Sequence, residues 1–318
     1  MIVVLTGGTG GAKFVDGLRH VVAPEELTII VNTGDDHEWW GLYVSPDIDS
    51  IVYVLANMLS GERGWGVGGD TFHCLQAMKN LGEPSWFSVG DRDLATHLLR
   101  TRLMSEGQTL SQATSYIAQQ RGLRSRILPM SDVRVETRVD TPAGDLSFEE
   151  YFVRRRYQDA VNSVRFMGAS DARPAPGVAE GINSADAVFV APSNPVTSIG
   201  PILAIPGVRE ALRNTSATVV AISPIIGREA VSGPAANLMA AQGLDVSIAG
   251  ITRAYREFLD VLVVNDSDYD SAQLLEPDIQ VHCTNILMRT QEDKTRIART
   301  ALELAASSRL SESVAETQ

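Results

Sequence analysis

Short apolar runs that end in glycine or small polar residues recur along the chain. Residues 2–5 are continuously apolar and stop at Gly7-Gly8-Thr9-Gly10-Gly11. Apolar residues then return at Phe14, Leu18 and Val21, the spacing of one helical face. This pattern predicts strand, glycine turn, helix. Residues 27–31 form the next apolar run and lead into Asn32-Thr33-Gly34-Asp35-Asp36. Helices are predicted over 48–59, with Ser45 as cap and Pro46 in the first turn, and over 70–81 and 110–122. Another opens at Gly90-Asp91-Arg92-Asp93 and runs through Leu94, Leu98 and Leu99. The glycine-rich stretch 61–69, which contains Trp65, reads as a loop. Residues 133–139 and 146–153 alternate around Thr141-Pro142-Ala143-Gly144, which predicts antiparallel strands in an inserted region, about residues 125–165. Continuous apolar runs resume at 187–191, 218–223 and 261–264, with a helix over 235–242. The tail after Leu310 is polar and is expected to fray. Strands that alternate with helices argue for an α/β fold with a mostly parallel sheet and helices on both faces. Ligands of such sheets bind beyond the carboxyl ends of the strands.

Charge narrows the partners. Lys and Arg number 27 against 39 Asp and Glu, a net charge of -12. Such a surface repels nucleic-acid backbones and anionic lipid, so neither nucleic acid nor membrane is an expected partner. Apolar residues make up 44% and charged residues 21%, which is ordinary for a folded globular chain. No run of 18 apolar residues is present, and the first residues read as a strand rather than a secretion signal. Two cysteines, Cys74 and Cys283, are too few for a disulfide framework, and a reducing cytoplasm is the expected location.

Four groups of residues carry possible chemistry. The loop from Gly8, Thr9, Gly10 and Gly11 to Lys13 can bring backbone N–H groups and a helix N-terminus to a phosphate. Its spacing matches neither a Walker A motif nor G-x-G-x-x-G, and a plain strand–helix turn has the same composition. Asp35, Asp36, Asp47 and Asp49 place four carboxylates within 15 residues, all near strand or helix ends. Converging oxygen ligands suit Mg²⁺, while Asp47 and Asp49 equally suit the first turn of a helix. In the run from Pro192 to Pro201, Ser193, Asn194, Thr197 and Ser198 supply hydroxyl and amide groups on a rigid backbone, as a nucleotide loop or as a capped turn. Arg92 could clamp a phosphate, with His97 placed to pair with Asp93 on one helix face. Trp65, or the Trp39-Trp40 pair, could stack on a planar ring. The glycines alone would also allow an oxidoreductase, with Asp35 or Asp36 on a ribose.

Taken in order, these blocks resemble the 2-phospho-L-lactate transferase family (CofD/FbiA) of coenzyme F420 biosynthesis. The matching stretches are LTGGTGGAKF near the start, VNTGDD at 31–36, GLYVSPDIDSIVYVLA at 41–56, RGWGVGGDTF at 63–72, WFSVGDRDLATHLLRT at 86–101, APSNPVTSIGPIL at 191–203 and SPIIG at 223–227. The resemblance implies a Rossmann-like core with an inserted α+β region, all within one large domain over 1–318. It implies an enzyme that moves a phosphorylated three-carbon acid (phospholactyl, phosphoenolpyruvyl or phosphoglyceryl). The acid passes from a guanosine diphosphate-linked donor to the terminal ribityl hydroxyl of the deazaflavin Fo, and GMP leaves. Mg²⁺ is the implied metal and a homodimer the implied assembly. Mapped onto this chain, Asp35 and Asp47 are the first metal ligands, with Asp49 next, and Asp35, Asp47 and Asp36 are the catalytic carboxylates. Residues 7–13 and 193–198 would hold the guanosine diphosphate part, Arg92 the donor's acidic end and Trp65 the deazaflavin. A non-catalytic nucleotide-binding regulator, as in the gluconeogenesis-factor branch, is the alternative.

Overall fold

The computed structural model describes residues 1–275 and 279–315. Its strands in chain order are β1 (Ile2–Thr6), β2 (Leu27–Val31), β3 (His37–Trp39), β4 (Leu42–Val44), β5 (Arg126–Pro129), β6 (Glu136–Thr141) and β7 (Gly144–Ser147). They continue with β8 (Ser163–Met167), β9 (Ala187–Val190), β10 (Thr218–Ile222), β11 (Ile225–Ile226), β12 (Glu229–Ala230), β13 (Val261–Val264) and β14 (Gln280–Cys283). Seven of them form one parallel sheet in the order β14-β13-β10-β9-β1-β2-β5. The order reverses between β1 and β9. Loops leaving these two neighbours diverge there and open a crevice above the sheet.

Both faces of the sheet are buried, which is why its central strands read as unbroken apolar runs rather than alternating ones. Val3, Leu5, Ile30, Val188 and Val190 point into one core. Val4, Ile29, Val31, Phe189 and Val220 point into the other. Helices α1 (Gly8–Leu18), α2 (Pro46–Leu55) and α5 (Leu110–Gln120) cover the second face, and α3 (His73–Asn80) and α4 (Asp91–Ser105) lie between α2 and α5 in the chain. The long helix Gln291–Ala315 joins them, placing Ile297, Ala298 and Ala301 in that core and Lys294 Nζ 2.8 Å from Asp16. The polar tail expected after Leu310 thus continues this helix to Ala315, and 316–318 lie outside the described residues.

The insertion is an antiparallel three-stranded sheet, β7-β6-β8. The second strand of its hairpin ends at Ser147, where the alternating pattern predicted it to run to Val153. Residues 150–154 instead form a single π-helical turn, because Tyr151 is fully buried in the main core with Phe148 packed beside it. The insertion is tied to the loop after β2 by a 2.7 Å hydrogen bond from the Thr137 N–H to the Gly34 carbonyl. Trp39 and Trp40 fall in a tight hairpin between β3 and β4, with positive φ at Trp40 and Gly41. Trp39 is buried in a small satellite core with Val44 and Val89.

Candidate functional site

The loops after β1, β2 and β9 meet the first turn of α2 around one side chain, Asn32. Its Nδ2 lies 2.9 Å from Asp35 Oδ2, 2.9 Å from Asp47 Oδ2 and 3.3 Å from the Thr197 carbonyl. Its Oδ1 accepts the Gly34 N–H at 2.8 Å. One buried amide therefore sets the spacing of two carboxylates and links the loops after β2 and β9 to the first turn of α2. Asp47 Oδ1 in turn accepts the Gly8 N–H at 2.7 Å, which puts a carboxylate on the N-terminus of α1. The glycines are needed for this closeness. Gly8 has φ +63, and a Cβ on Gly10 would lie 2.2 Å from the Pro192 carbonyl oxygen.

A cavity of about 450 Å³ opens at this crevice, within the usual size range of small-molecule sites. Gly8, Thr9 and Gly10 line it together with Ser193, Asn194, Thr197 and Ser198 of the loop packed against them. Asn194 spends its side chain on its own loop, accepting the Val196 and Thr197 N–H groups at 2.9 and 3.3 Å. The hydroxyls of Ser193 and Thr197 are buried with no hydrogen-bond partner among the described residues. Asp35, Asp47 and Asp49 lie along the cavity, as does Trp65, which is 39% exposed under the Arg63 guanidinium. Lys13 and Arg92 are exposed and are not among its lining residues; the Arg92 N–H is bonded to Asp70. Gly11 is buried against Thr6 and Ser193.

The four sequence-predicted carboxylates occupy three different environments. Asp35 and Asp47 share the Asn32 amide and face the cavity. Asp35 Oδ1 is buried without a hydrogen bond, beside a Thr137 hydroxyl that also lacks one. Asp36 is not among the lining residues, and its two oxygens take the Ser45 hydroxyl at 2.6 Å and the Tyr43 hydroxyl at 2.9 Å. Ser45 was expected to cap α2, yet its hydroxyl is committed to Asp36 and leaves that helix without a side-chain cap. Asp49 receives both terminal nitrogens of the fully buried Arg100. His97 lies between Asp49 and Asp93, with Nδ1 3.5 Å from one and Nε2 3.4 Å from the other.

Two sets could hold a cation. Asp49, Asp93 and His97 bring ligand atoms within 4.8 Å of one another. Arg100 already neutralises Asp49, and the imidazole presents a different nitrogen to each carboxylate, so it bridges them rather than converging with them on one point. Among the described residues no cation stands beside Asp35 and Asp47. Asp35 offers a free buried oxygen, Asp47 has one oxygen on the Gly8 N–H and one on Asn32, and both supply the hard oxygen donors that Mg²⁺ takes. The residues present therefore fit a hard divalent ion at Asp35 and Asp47.

The sequence alone did not single out Glu149, Phe148, Phe152 or Tyr53, all of which line the cavity. Glu149 and the two rings come from the insertion, where the predicted strand hid them. Tyr53 looks like one more apolar-face residue of α2, and only its 2.6 Å bond to Asp93 reveals its polar role.

Burial raises Asp35, Asp47, Asp36 and Glu149 above the ordinary carboxylate range, with the Asp47 charge adding to the effect at Asp35 and Glu149. Asp36 and Glu149 are each pushed up to about 8. Groups raised in the fold bind protons more tightly there than in the unfolded chain. Their stabilising contribution is complete below about pH 4 and is lost as pH rises through about 8. With a chelator present, the melting temperature is expected to fall between about pH 5 and pH 9, and Mg²⁺ should shrink that fall. Thermal melts at graded pH, with and without the ion, check this. A flat profile in chelator would mean that the cluster is compensated from within the protein.

A model of the 2-phospho-L-lactate transferase CofD family matches residues 2–303. The chain is 43% identical to a 2-phospho-L-lactate transferase of Methanococcoides burtonii, over 92% of this chain and 95% of that one. It is 41% identical to a phosphoenolpyruvate transferase of Streptomyces griseus, over 96% and 98%. A crystal structure of a UPF0052 family member from Bacillus halodurans superposes with a TM-score of 0.67 at 17% identity, covering 95% of this chain and 98% of that one, which shows a shared fold. The family match, its length and the identity to curated enzymes set aside the regulator and oxidoreductase readings. The chain belongs to the 2-phospho-L-lactate transferase CofD family and is a transferase.

Proposed function

We propose that this enzyme transfers a phosphorylated three-carbon acid from a guanosine diphosphate-linked donor to the terminal ribityl hydroxyl of Fo, in the formation of coenzyme F420. The observation that carries the reading is the cavity at the strand-order reversal. It is lined by the glycine loop, by the buried unpartnered hydroxyls of the loop packed against it, and by two carboxylates with no counter-ion among the described residues. The amides of Thr9 and Gly10, which line the cavity beside the Gly8 N–H held by Asp47, and the hydroxyls of Ser193, Thr197 and Ser198 bind the diphosphate. The acceptor oxygen bonds to the phosphorus that carries the acid, the bond from that phosphorus to GMP breaks, and the hydroxyl proton is released. Such a transfer needs alignment and charge neutralisation above all. Asp35 and Asp47 would hold Mg²⁺, which when bound supplies positive charge to the diphosphate. Asp49 and Asp36 act behind them, one held by Arg100 and the other by Tyr43 and Ser45. Trp65 and the insertion's Phe148 and Phe152 offer flat surfaces for the deazaflavin.

In this reading the whole chain is one large α/β domain that works as a cytoplasmic homodimer. Among the described residues no helix is long and apolar enough to cross a membrane. The two relatives carry different donor names at nearly equal identity. The test therefore incubates the protein with Fo, Mg²⁺ and, in separate reactions, the phospholactyl, phosphoenolpyruvyl and phosphoglyceryl donors. One of them should yield stoichiometric GMP and a phosphodiester-linked deazaflavin by chromatography and mass spectrometry. Absence of GMP with all three would overturn the proposal.

A further inference from the structure

Asn32 is fully buried and is not among the residues that line the cavity, yet three residues that do line it meet at its amide. Asp35, Asp47 and Thr197 each bring an oxygen within 3.3 Å of Asn32 Nδ2. An amide nitrogen carries only two hydrogens. The two carboxylate oxygens, at 2.9 Å, are nearer than the Thr197 carbonyl at 3.3 Å and are charged, so they take both. The Oδ2 atoms of Asp35 and Asp47 are thereby held no more than twice 2.9 Å apart.

The amide has one workable orientation. Its Oδ1 accepts the Gly34 N–H at 2.8 Å, and a flipped side chain would set donor against donor there and an oxygen against two carboxylates. The backbone is fixed as well, since the Asn32 N–H bonds to the Thr6 carbonyl at 2.9 Å. A Cβ on Gly7 would lie 2.9 Å from Asn32 Cβ and 2.7 Å from Asp47 Oδ2, so the glycine loop closes over the pair without spare room. Both Oδ2 atoms are engaged on Nδ2, and Asp47 Oδ1 is engaged on the Gly8 N–H. Of the four oxygens of the two carboxylates, Asp35 Oδ1 is the one without a hydrogen bond among the described residues.

We propose that Asn32 is a positioning residue of the transfer: its amide sets the two carboxylates in place ahead of the cation and leaves Asp35 Oδ1 as the oxygen that first receives it. This rests on the cation reading given above. Two like charges in a buried site otherwise separate or take up protons. Two N–H donors give both carboxylates partial positive charge without a formal charge, so the place of a cation stays open. At Asp49 the contrast is plain, because there a guanidinium meets the carboxylate and fills that place. A group that orients ligands from behind in this way commonly governs metal affinity by about 10–100-fold.

Mn²⁺ alone serves as a paramagnetic probe, followed by electron paramagnetic resonance as it is titrated into wild-type protein, Asn32→Ala, Asn32→Ser and Asp35→Asn. Wild type should bind one ion, and Asp35→Asn none over the same range. Asn32→Ala should bind about 10–100-fold more weakly than wild type. Asn32→Ser, with one hydroxyl hydrogen in place of two N–H donors, should lie between them and carries the comparison where alanine does not fold. In turnover, both Asn32 variants should need correspondingly more Mg²⁺ for half-maximal rate. GDP affinity in chelator, which reports the seating of the two loops, should stay near wild type. Wild-type Mn²⁺ affinity in a folded Asn32 variant would overturn this proposal, as would a fall in GDP affinity in chelator that matches the fall for Mn²⁺; either leaves the transferase reading intact. Mn²⁺ binding that survives Asp35→Asn, or no binding by wild type, would overturn the cation reading as well.

Discussion

Replacing Asp47 with asparagine is expected to lower turnover by on the order of 10³-fold, the scale of losing a principal electrostatic group at a transferring phosphoryl centre. The substitution keeps the shape and removes the charge. The carbonyl oxygen of the new side chain can still accept the Gly8 N–H that Asp47 Oδ1 now takes. Its amide nitrogen would face Asn32 Nδ2, donor against donor, so one hydrogen bond is lost while Asn32 retains Asp35 Oδ2 and the Thr197 carbonyl. Losing that bond costs about 1 kcal/mol. The change also relieves a buried charge whose protonation burial already favours. The variant should therefore fold and melt within a few degrees of wild type. In chelator, GDP binding should be unchanged or tighter, because a negative charge beside the diphosphate has gone. Steady-state kinetics, thermal melts and GDP titrations check these together. Turnover above about a tenth of wild type would remove Asp47 from the centre of the mechanism.

The sheet was legible in the sequence wherever its strands are buried on both faces. Residues 2–6, 27–31, 187–190, 218–222 and 261–264 read as strands because helices cover both sides. The two edge strands were not legible. Arg126–Pro129 starts with a charge and ends in proline, and Gln280–Cys283 is at most half-buried with a polar start, so neither has the apolar run of a central strand. The site was legible as motifs and not as contacts. The aspartates after β2 and at the start of α2 were visible as a group, but nothing in their spacing says that Asp36 is held by Tyr43 and Ser45 while Asp35 faces the cavity. Nor does it say that Asp49 is matched by an arginine 51 residues away. Glu149 was illegible for another reason. An acidic residue within a predicted alternating strand looks like the solvent side, and only the turn at residues 150–154 brings it inside.

Arg100→Met is expected to destabilise the protein by about 3–5 kcal/mol, the cost of leaving one partner of a buried ion pair uncompensated. Arg100 is fully buried on α4 and grips Asp49 with both terminal nitrogens. Burial alone would push the guanidinium down; the Asp49 charge and hydrogen bonds outweigh it and hold the group above its ordinary value. The Arg100 charge also offsets part of what burial does to Asp36, so Arg100 restrains two carboxylates of the acidic cluster. Methionine fills much of the volume without the charge, and the melting temperature should fall by roughly 10 °C. Arg100→Lys keeps the charge but loses the planar fork, and should lie between the two. Adding Asp49→Asn to Arg100→Met removes the stranded carboxylate and should restore most of the loss, a coupling that denaturant unfolding of the four-member cycle measures. Additive losses would mean that Arg100 acts through packing alone. A divalent ion that restores the melting temperature of Arg100→Met, but not of the double variant, would show why the guanidinium is there: it takes the place of a cation between Asp49, Asp93 and His97 and leaves Asp35 and Asp47 as the open position.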